Sequence, residues 1–319
     1  MGNGMHVTRA RPGRSDRLAL RAAAVTGLLL VLASPGTAGQ RQPEKILLHK
    51  KGVLVTSEWA IDGREFELLG RVSARCRSIS LTESDRDLAI RCSGSLISPA
   101  LALGADAVVG LHVLPTPFTE SDLSSKFASG VSGIAVRTLE PGQPASKRRA
   151  RFVVAVLPLD VPDTLVASAK AREQLGRLMQ DVAMASAEER GYYAERAESA
   201  DTDDSPLAAM PDSAWPRALG PWTGAVLSTR FVMANGSSSL MRGKQEVTVE
   251  ARLLSADSAR VIWSRMAEGH FASWKANTQI SPLGVVYAVP DPHGTRAARV
   301  EISLGRAVRN AISRAPPAE

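Results

Sequence analysis

The 319-residue sequence contains little of what most catalytic and cofactor sites require. It has 2 cysteines and 5 histidines, and the histidines form no H-x-x-x-H or E-x-x-H pair, which argues against a metal hydrolase. No G-x-S-x-G elbow, Walker-type phosphate loop or G-x-G-x-x-G dinucleotide loop occurs. The motifs therefore indicate no catalytic residue, no cofactor and no metal site, and His112, within a β-rich run, is more simply explained as a core or edge residue.

Long apolar runs are also scarce, and the most prominent one is close to the N-terminus. The apolar run covers residues 22–33, and small residues follow at 36–39. A basic region precedes the run, formed by Arg9, Arg11, Arg14, Arg17 and Arg21. This order is typical of a cleavable export signal. The run is well short of the roughly 20 residues that a membrane-spanning helix needs. We therefore predict a cleaved signal over residues 1–39, and a retained membrane anchor is the alternative.

More than half of the net positive charge of the chain lies in its first 39 residues. The net charge is +7, and residues 1–39 contribute five arginines and one aspartate, so subtracting their +4 leaves +3 for the rest. That mild excess, without a basic stripe interleaved with aromatic residues, does not indicate nucleic-acid binding. No later stretch is long and apolar enough to span a bilayer. We expect an exported protein of the periplasm or extracellular space, or one associated with the envelope, with no transmembrane segment after signal cleavage.

Cys76 and Cys92 are the only cysteines of the chain. In an oxidising compartment, two thiols at this separation favour a disulfide. Two buried free thiols are the alternative. A structural zinc site would need about four nitrogen or sulfur ligands, so these two cysteines do not make one.

A segment rich in proline and basic residues, 141–151, interrupts the apolar pattern and is typical of an interdomain linker. We predict a small α+β domain over residues 45–138, a linker over 139–151 and an α/β domain over 152–314. The fold class is then α+β: two small α/β sandwich domains, each a mixed sheet with helices packed on it.

Periodicity places the elements of both domains. Strands are predicted at residues 46–56, 67–74, 107–114, 133–138 and 152–159, a hairpin at 247–265, and helices ending near 103 and spanning 164–189 and 295–313. The middle helix has Leu175, Leu178, Met179 and Val182 on one face, with Asp163 or Thr164 as its cap and Gly191 at its end. Apolar faces are also predicted for the first strand of the hairpin (Val247, Val249, Ala251 and Leu253) and for the last helix (Leu304, Ala307, Val308, Ala311 and Ile312). The acidic, proline-rich stretch 195–221 is predicted to be a long surface loop.

Three segments of the first domain carry a family resemblance: LGRVSARC at 69–76, LGADAVVGL at 103–111 and GVSGIAVR at 130–137. Their order resembles the fold shared by a small pentameric family named for heavy-metal binding and by the outer-membrane lipoprotein that senses stress for the Rcs phosphorelay. The resemblance covers about residues 45–138 and implies one compact unit. Gly104 can end the helix with a positive φ, and Asp106 can bond to local backbone.

The second domain resembles the α/β domain of the curli-secretion lipoprotein and of related activators of penicillin-binding proteins. The likeness rests on the strand at 152–159, the strand pair at 247–264 and the C-terminal helix. In those families the return strand ends in a tryptophan, which is Trp263 here.

Both resemblances are to envelope proteins, and they imply a non-enzymatic adaptor or assembly component that binds another envelope protein or itself. Candidate contact residues are Trp215 and Trp222 of the long loop and Trp263 of the hairpin. The alternative for the loop is that it packs onto its own domain. The alternative function is an exported hydrolase that no sequence motif reveals. A deep polar cleft would favour the hydrolase, and an exposed apolar patch or open sheet edge would favour the adaptor.

Overall fold

The first of two mixed sheets occupies the N-terminal half of the chain. The computed structural model describes residues 47–61, 63–76, 83–114, 130–143, 150–197, 219, 222–238, 242–274, 276–280, 286–290 and 295–318. The strands of the first sheet are β1 (Leu47–Lys50), β2 (Val53–Thr56), β3 (Phe66–Arg75), β4 (Ala107–Leu114) and β5 (Gly130–Thr138). Their order is β1-β2-β4-β5-β3, and only the β2–β4 pair is parallel.

The second sheet combines a parallel half with a long antiparallel half. Its strands are β6 (Ala150–Val156), β7 (Tyr193–Arg196), β8 (Thr223–Ser238), β9 (Arg242–Ser255) and β10 (Val261–Trp274), in the order β10-β9-β8-β6-β7. The pairs of β6 with β7 and β8 are parallel, and the pairs of β9 with β8 and β10 are antiparallel. A separate hairpin follows, formed by β11 (Ala276–Ile280) and β12 (Val286–Pro290). The predicted α+β class with two mixed sheets is confirmed.

Four α-helices accompany the sheets in the described part of the chain: α1 (Asp85–Ser93), α2 (Ile97–Ala102), α3 (Ala169–Glu189) and α4 (Arg296–Ile312). A side-chain oxygen caps the first turn of α1, α3 and α4, at Ser84, Ser168 and Thr295. The start predicted for α3 at Thr164 is wrong. Leu165 and Val166 instead form a turn that bonds back to Pro162, and the helix begins only after Ser168.

Glycine ends two of these helical segments as the sequence predicts. Gly104, after α2, has a φ of +75°, and Gly191, after α3, has a φ of +92°. Asp106 accepts a hydrogen bond from the Thr138 backbone N–H at 2.9 Å and another from the Thr138 hydroxyl. The aspartate therefore fastens the start of β4 to the end of β5 rather than bonding within its own turn.

The core of the second sheet lies between one sheet face and the helices α3 and α4. On β9, Val247, Val249, Ala251 and Leu253 are buried, in agreement with their predicted common face. The residues predicted to form the apolar face of α4 are all buried on this core: Leu304, Ala307, Val308, Ala311 and Ile312. Amphipathic patterning thus places both the strand and the helix correctly.

The strand β8 has no counterpart among the predicted elements, although it is central to the second sheet. Its inner positions Ala225, Leu227 and Phe231 pack on the core. A register shift between Phe231 and Met233 adds one residue, so that Ala234 takes the next inner position. The extra residue breaks the period of two on which strand recognition depends.

A disulfide joins Cys76, directly after β3, to Cys92 in α1, with a Cα–Cα distance of 6.0 Å. Cys92 is buried in the core between the helices and the first sheet. The link therefore ties α1 to the end of an edge strand.

We expect the C76A/C92A variant to lose about 3 kcal/mol of unfolding free energy, because the bond closes a loop of sixteen residues in the unfolded chain. Urea denaturation of the oxidised protein against the variant measures this difference. Addition of a reductant should destabilise the wild type by a similar amount and leave the variant unchanged. Equal midpoints for the oxidised wild type and the variant would contradict the predicted stabilisation.

Candidate functional site

A buried cluster joins the two sheets, and we call it the junction. The first sheet and its connections contribute Ile61, Phe66, Ala107, Val109, Ile134 and Val136, and the second sheet contributes Val153 and Tyr193. Trp59 and Trp222 are partly buried against it. Both sheets belong to one compact unit, residues 45–319. The predicted linker at 139–151 includes residues 144–149, which lie outside the described residues, so the domain boundary stays a prediction.

A buried carboxylate lies beside the junction. Glu188, in the last turn of α3, has 4% of its side chain exposed and forms an ion pair with Arg71 of β3. Its Oε1 accepts a hydrogen bond from the Ala194 backbone N–H at 2.9 Å. The His112 Nε2 atom lies 3.5 Å from the same oxygen. A helix of the second sheet thus contributes the negative charge and the first sheet the positive charge, which links the sheets electrostatically.

Tyr193 and Gly110 complete this group. The Tyr193 hydroxyl donates a hydrogen bond of 2.6 Å to the Gly110 carbonyl, and His112 Nδ1 lies 3.2 Å from that carbonyl. Gly110 has a φ of +63°, and a Cβ there would lie 2.5 Å from the Tyr193 hydroxyl. Burial, followed by the charges of Glu195 and Glu188, raises the pKa of Tyr193 well above its usual value. Tyr193 is therefore a neutral donor in this contact.

Glu195 is the second carboxyl group near this point. Burial raises the pKa of Glu195, and its hydrogen bond with Thr223 and the charge of His112 lower the pKa in part. The Thr223 hydroxyl donates to Glu195 at 2.6 Å. Although two carboxyls, a histidine and a tyrosine meet here, Glu188 and Tyr193 are almost fully buried. The group therefore lies within the contact between the two sheets.

The opposite side of the second sheet is more open, and we call it the outer face. It comprises the β8–β10 side chains that point away from α3 and α4. Register places five rows across it: Ser228, Arg252 and Ser264; Arg230, Glu250 and Met266; Met233, Thr248 and Glu268; Asn235, Glu246 and His270; Ser237, Lys244 and Ala272. Leu219 packs on Val226 and Leu254 beyond the first of these rows.

Large apolar side chains are exposed on the outer face. Met266 of β10 is 62% exposed and Met233 of β8 is 46% exposed, on the two strands that flank β9. Val232, the extra residue of the β8 bulge, is 43% exposed. Charges of both signs surround these residues, including Arg230, Glu250 and Glu268. Contiguous apolar patches with a polar rim mark protein-binding surfaces, and here Met233 and Met266 lie in adjacent rows of one face.

The outer edge of the second sheet is partly protected. Asn310 of α4 donates a hydrogen bond of 3.0 Å to the Glu268 carbonyl, and Arg306 of α4 donates to the His270 carbonyl. These carbonyls belong to the edge strand β10. Helix side chains thus satisfy part of an edge that would otherwise be free to pair with another strand.

Three potential metal ligands meet on the outer face: Glu246, Glu268 and His270. His270 Nδ1 lies 3.5 Å from Glu246 Oε2, and His270 Nε2 lies 3.5 Å from Glu268 Oε2. Sequence motifs do not indicate this group because Glu246 is 24 positions from His270. Extending the predicted hairpin in register past Val247 would pair the two residues.

The structure separates the residues predicted as contacts. Trp222 packs within the junction, with its ring centroid 5.3 Å from that of Phe66. Trp263 packs against the core of the second sheet and pairs with Leu253. Trp215 and the export signal lie outside the described residues. Cys76 and Cys92 are joined as described above. A contact role for the three tryptophans stays a prediction.

The chain matches no family model and no curated protein sequence. Its structure is similar to that of the lipoprotein GNA1162 from Neisseria meningitidis, with 19% identity, a TM-score of 0.30, and coverage of 38% of this chain and 83% of that chain. A PelC dodecamer from Paraburkholderia phytofirmans gives 14% identity, a TM-score of 0.26, and coverage of 55% and 91%. Similarity at this level carries no argument about ligands or partners.

No described helix combines the length and the apolar character that crossing a membrane requires.

Proposed function

We propose that the protein is an exported, non-enzymatic adaptor of the cell envelope that binds another envelope protein through the outer face. The observation that carries this proposal is the exposure of Met233 and Met266 on a broad face of β8, β9 and β10. The flexible, polarisable side chain of methionine suits a surface that adapts to a partner.

The distribution of charge supports a specific protein contact. Arg230, Glu250 and Met266 form one row, and Met233, Thr248 and Glu268 form the next. Apolar contacts at the centre of such a face can supply binding energy, and the surrounding charges select the partner and its orientation. The export signal expected over residues 1–39 and the two family resemblances support an envelope location for that partner.

The hydrolase alternative lacks a comparable observation. The depression beside the first sheet is lined by residues 63–65 and 138–143, among which Glu65 and Glu140 are the acidic residues. The cluster of Glu188 and His112 is buried within the fold, and the cluster around His270 lies on an open face. In the described residues, neither of these two clusters lines the depression, whereas the hydrolase hypothesis requires such groups within a deep cleft.

The test is a cross-linking pull-down from envelope fractions with the chain from Gln40 onward. We expect M233R/M266R to weaken capture of a defined partner at least about tenfold, because it replaces the two exposed apolar side chains of the proposed contact with charged ones. L101R is the matched control, since Leu101 is an exposed apolar residue on α2, remote in sequence from the outer face.

Capture of one partner at fixed stoichiometry by the wild type and L101R, but not by M233R/M266R, supports the proposal. Equal capture by all three chains would exclude the outer face as the contact. A defined homo-oligomer that M233R/M266R disrupts, with no other protein captured, would replace the adaptor with self-assembly. Molar masses from light scattering distinguish these results.

A further inference from the structure

We propose that Glu246, Glu268 and His270 form a binding site for a zinc-class divalent cation. Among the described residues, these three offer one histidine nitrogen and two carboxylate oxygens that all lie within 4.8 Å of one another. Ligands around a tetrahedral zinc ion lie about 3.4 Å apart, given metal–ligand bonds of about 2.1 Å. All three side chains are partly or largely exposed, which leaves room for rotation. The imidazole presents Nδ1 to Glu246 and Nε2 to Glu268, so the side chains must turn to bring both carboxylates to the one nitrogen that binds the ion.

The backbone holds the three ligands on one face. Glu246 and His270 are direct cross-strand partners in the β9–β10 ladder, and Glu268 precedes His270 by two positions on the same strand. Residues with these relationships share a face and stay within reach of one another. The site therefore needs no rearrangement of the chain to form.

Helix α4 fixes the strand that carries two of the ligands. Arg306 donates to the carbonyl of His270, and Asn310 donates to the carbonyl of Glu268. Both ligand residues are thereby anchored at the backbone, on the edge strand of the sheet. Ligands on a rigid, hydrogen-bonded scaffold lose less conformational entropy when an ion binds.

The donor set selects the class of ion. An imidazole with two carboxylates suits Zn²⁺ and its transition-metal neighbours, whereas Ca²⁺ and Mg²⁺ prefer oxygen ligands throughout. Three protein ligands leave a fourth position for water. Lys244 lies 3.8 Å from Glu246 and offsets part of the negative charge, so we expect an affinity below that of a four-ligand structural site. Zinc binding at this site does not depend on the proposed binding of a protein to the outer face.

Isothermal titration of the untagged, chelator-treated chain with Zn²⁺ tests the proposal. We expect one Zn²⁺ per chain at neutral pH, no saturable binding of Mg²⁺ at the same concentrations, and weaker binding at acid pH because protons compete for the ligands. H270A and E268Q should each weaken Zn²⁺ binding at least about tenfold.

E250Q and H49A are the matched controls. Glu250 lies on the same face of β9 as Glu246, and His49 is an exposed histidine on β1. Both variants should bind Zn²⁺ like the wild type. The absence of stoichiometric binding, or equal affinity in H270A, E268Q and the wild type, would overturn the site. Loss of the zinc site would leave the prediction for the pull-down with M233R/M266R unchanged.

Discussion

The E188Q variant is expected to lose about 3 kcal/mol or more of unfolding free energy. Glutamine keeps the size of the side chain and can still accept from the Ala194 N–H, but it removes the charge that faces Arg71. Arg71 is 17% exposed and would keep its charge in a largely buried position. Removing one partner of a buried ion pair costs about 3–5 kcal/mol because the remaining charge is uncompensated. Urea denaturation measures the loss.

An exposed ion pair of the same sheet provides the control. Arg137 and Glu67 lie 2.7 Å apart with side chains 56% and 41% exposed, so E67Q should cost no more than about 1 kcal/mol. The R71M/E188Q double variant should be more stable than E188Q, since it removes the unpaired charge. Equal stability of E188Q and E67Q would show that the Arg71–Glu188 pair does not hold the sheets together.

The G269A variant is expected to lose about 3 kcal/mol, because a Cβ at this position collides with the backbone of α4. The atoms it would meet are the Ser303 carbonyl oxygen and the Ala307 nitrogen, the latter at 2.5 Å. Helix backbone cannot move aside as a flexible side chain can, so α4 must shift away from the core. Overpacking of this kind costs about 1–3 kcal/mol, and occasionally more.

G70A is the matched control, because Gly70 also lies within a strand. A Cβ at Gly70 would lie 3.5 Å from Leu103 Cδ1, which is an ordinary van der Waals contact. We expect G70A to be within about 0.5 kcal/mol of the wild type or slightly more stable, since alanine is less flexible than glycine when unfolded. Thermal or urea denaturation of both variants gives the comparison. A G269A protein as stable as G70A would contradict the close approach of α4 to β10.

Elements with a long, regular apolar face are the ones that the sequence predicts best. The β9 strand and α4 follow their predicted faces because burial on one side imposes the period. The β8 strand is not among the predicted elements, and its bulge at Val232 interrupts the alternation along its inner face. The predicted start of α3 is too early because Asp163 and Thr164 are plausible caps and Ser168 lies only one turn further along.

The two polar clusters depend on tertiary arrangement that local patterns do not encode. Glu188 stands beside Glu189 near the end of an amphipathic helix, where a solvated position is the ordinary expectation. Its burial results from the approach of Arg71 and His112 on the other sheet. The group around His270 requires the register of a long hairpin, which a hairpin predicted only to residue 265 does not reach.

The outer face as a protein contact is tested most directly by photo-crosslinking in the native host. A photoreactive residue replaces Met266 in one variant of the full chain and Leu101, which is also exposed, in another. The proposal predicts one discrete cross-linked species in the envelope fraction from position 266 and none from position 101. No product at position 266 from protein that has reached the envelope, or the same products at both positions, would contradict it.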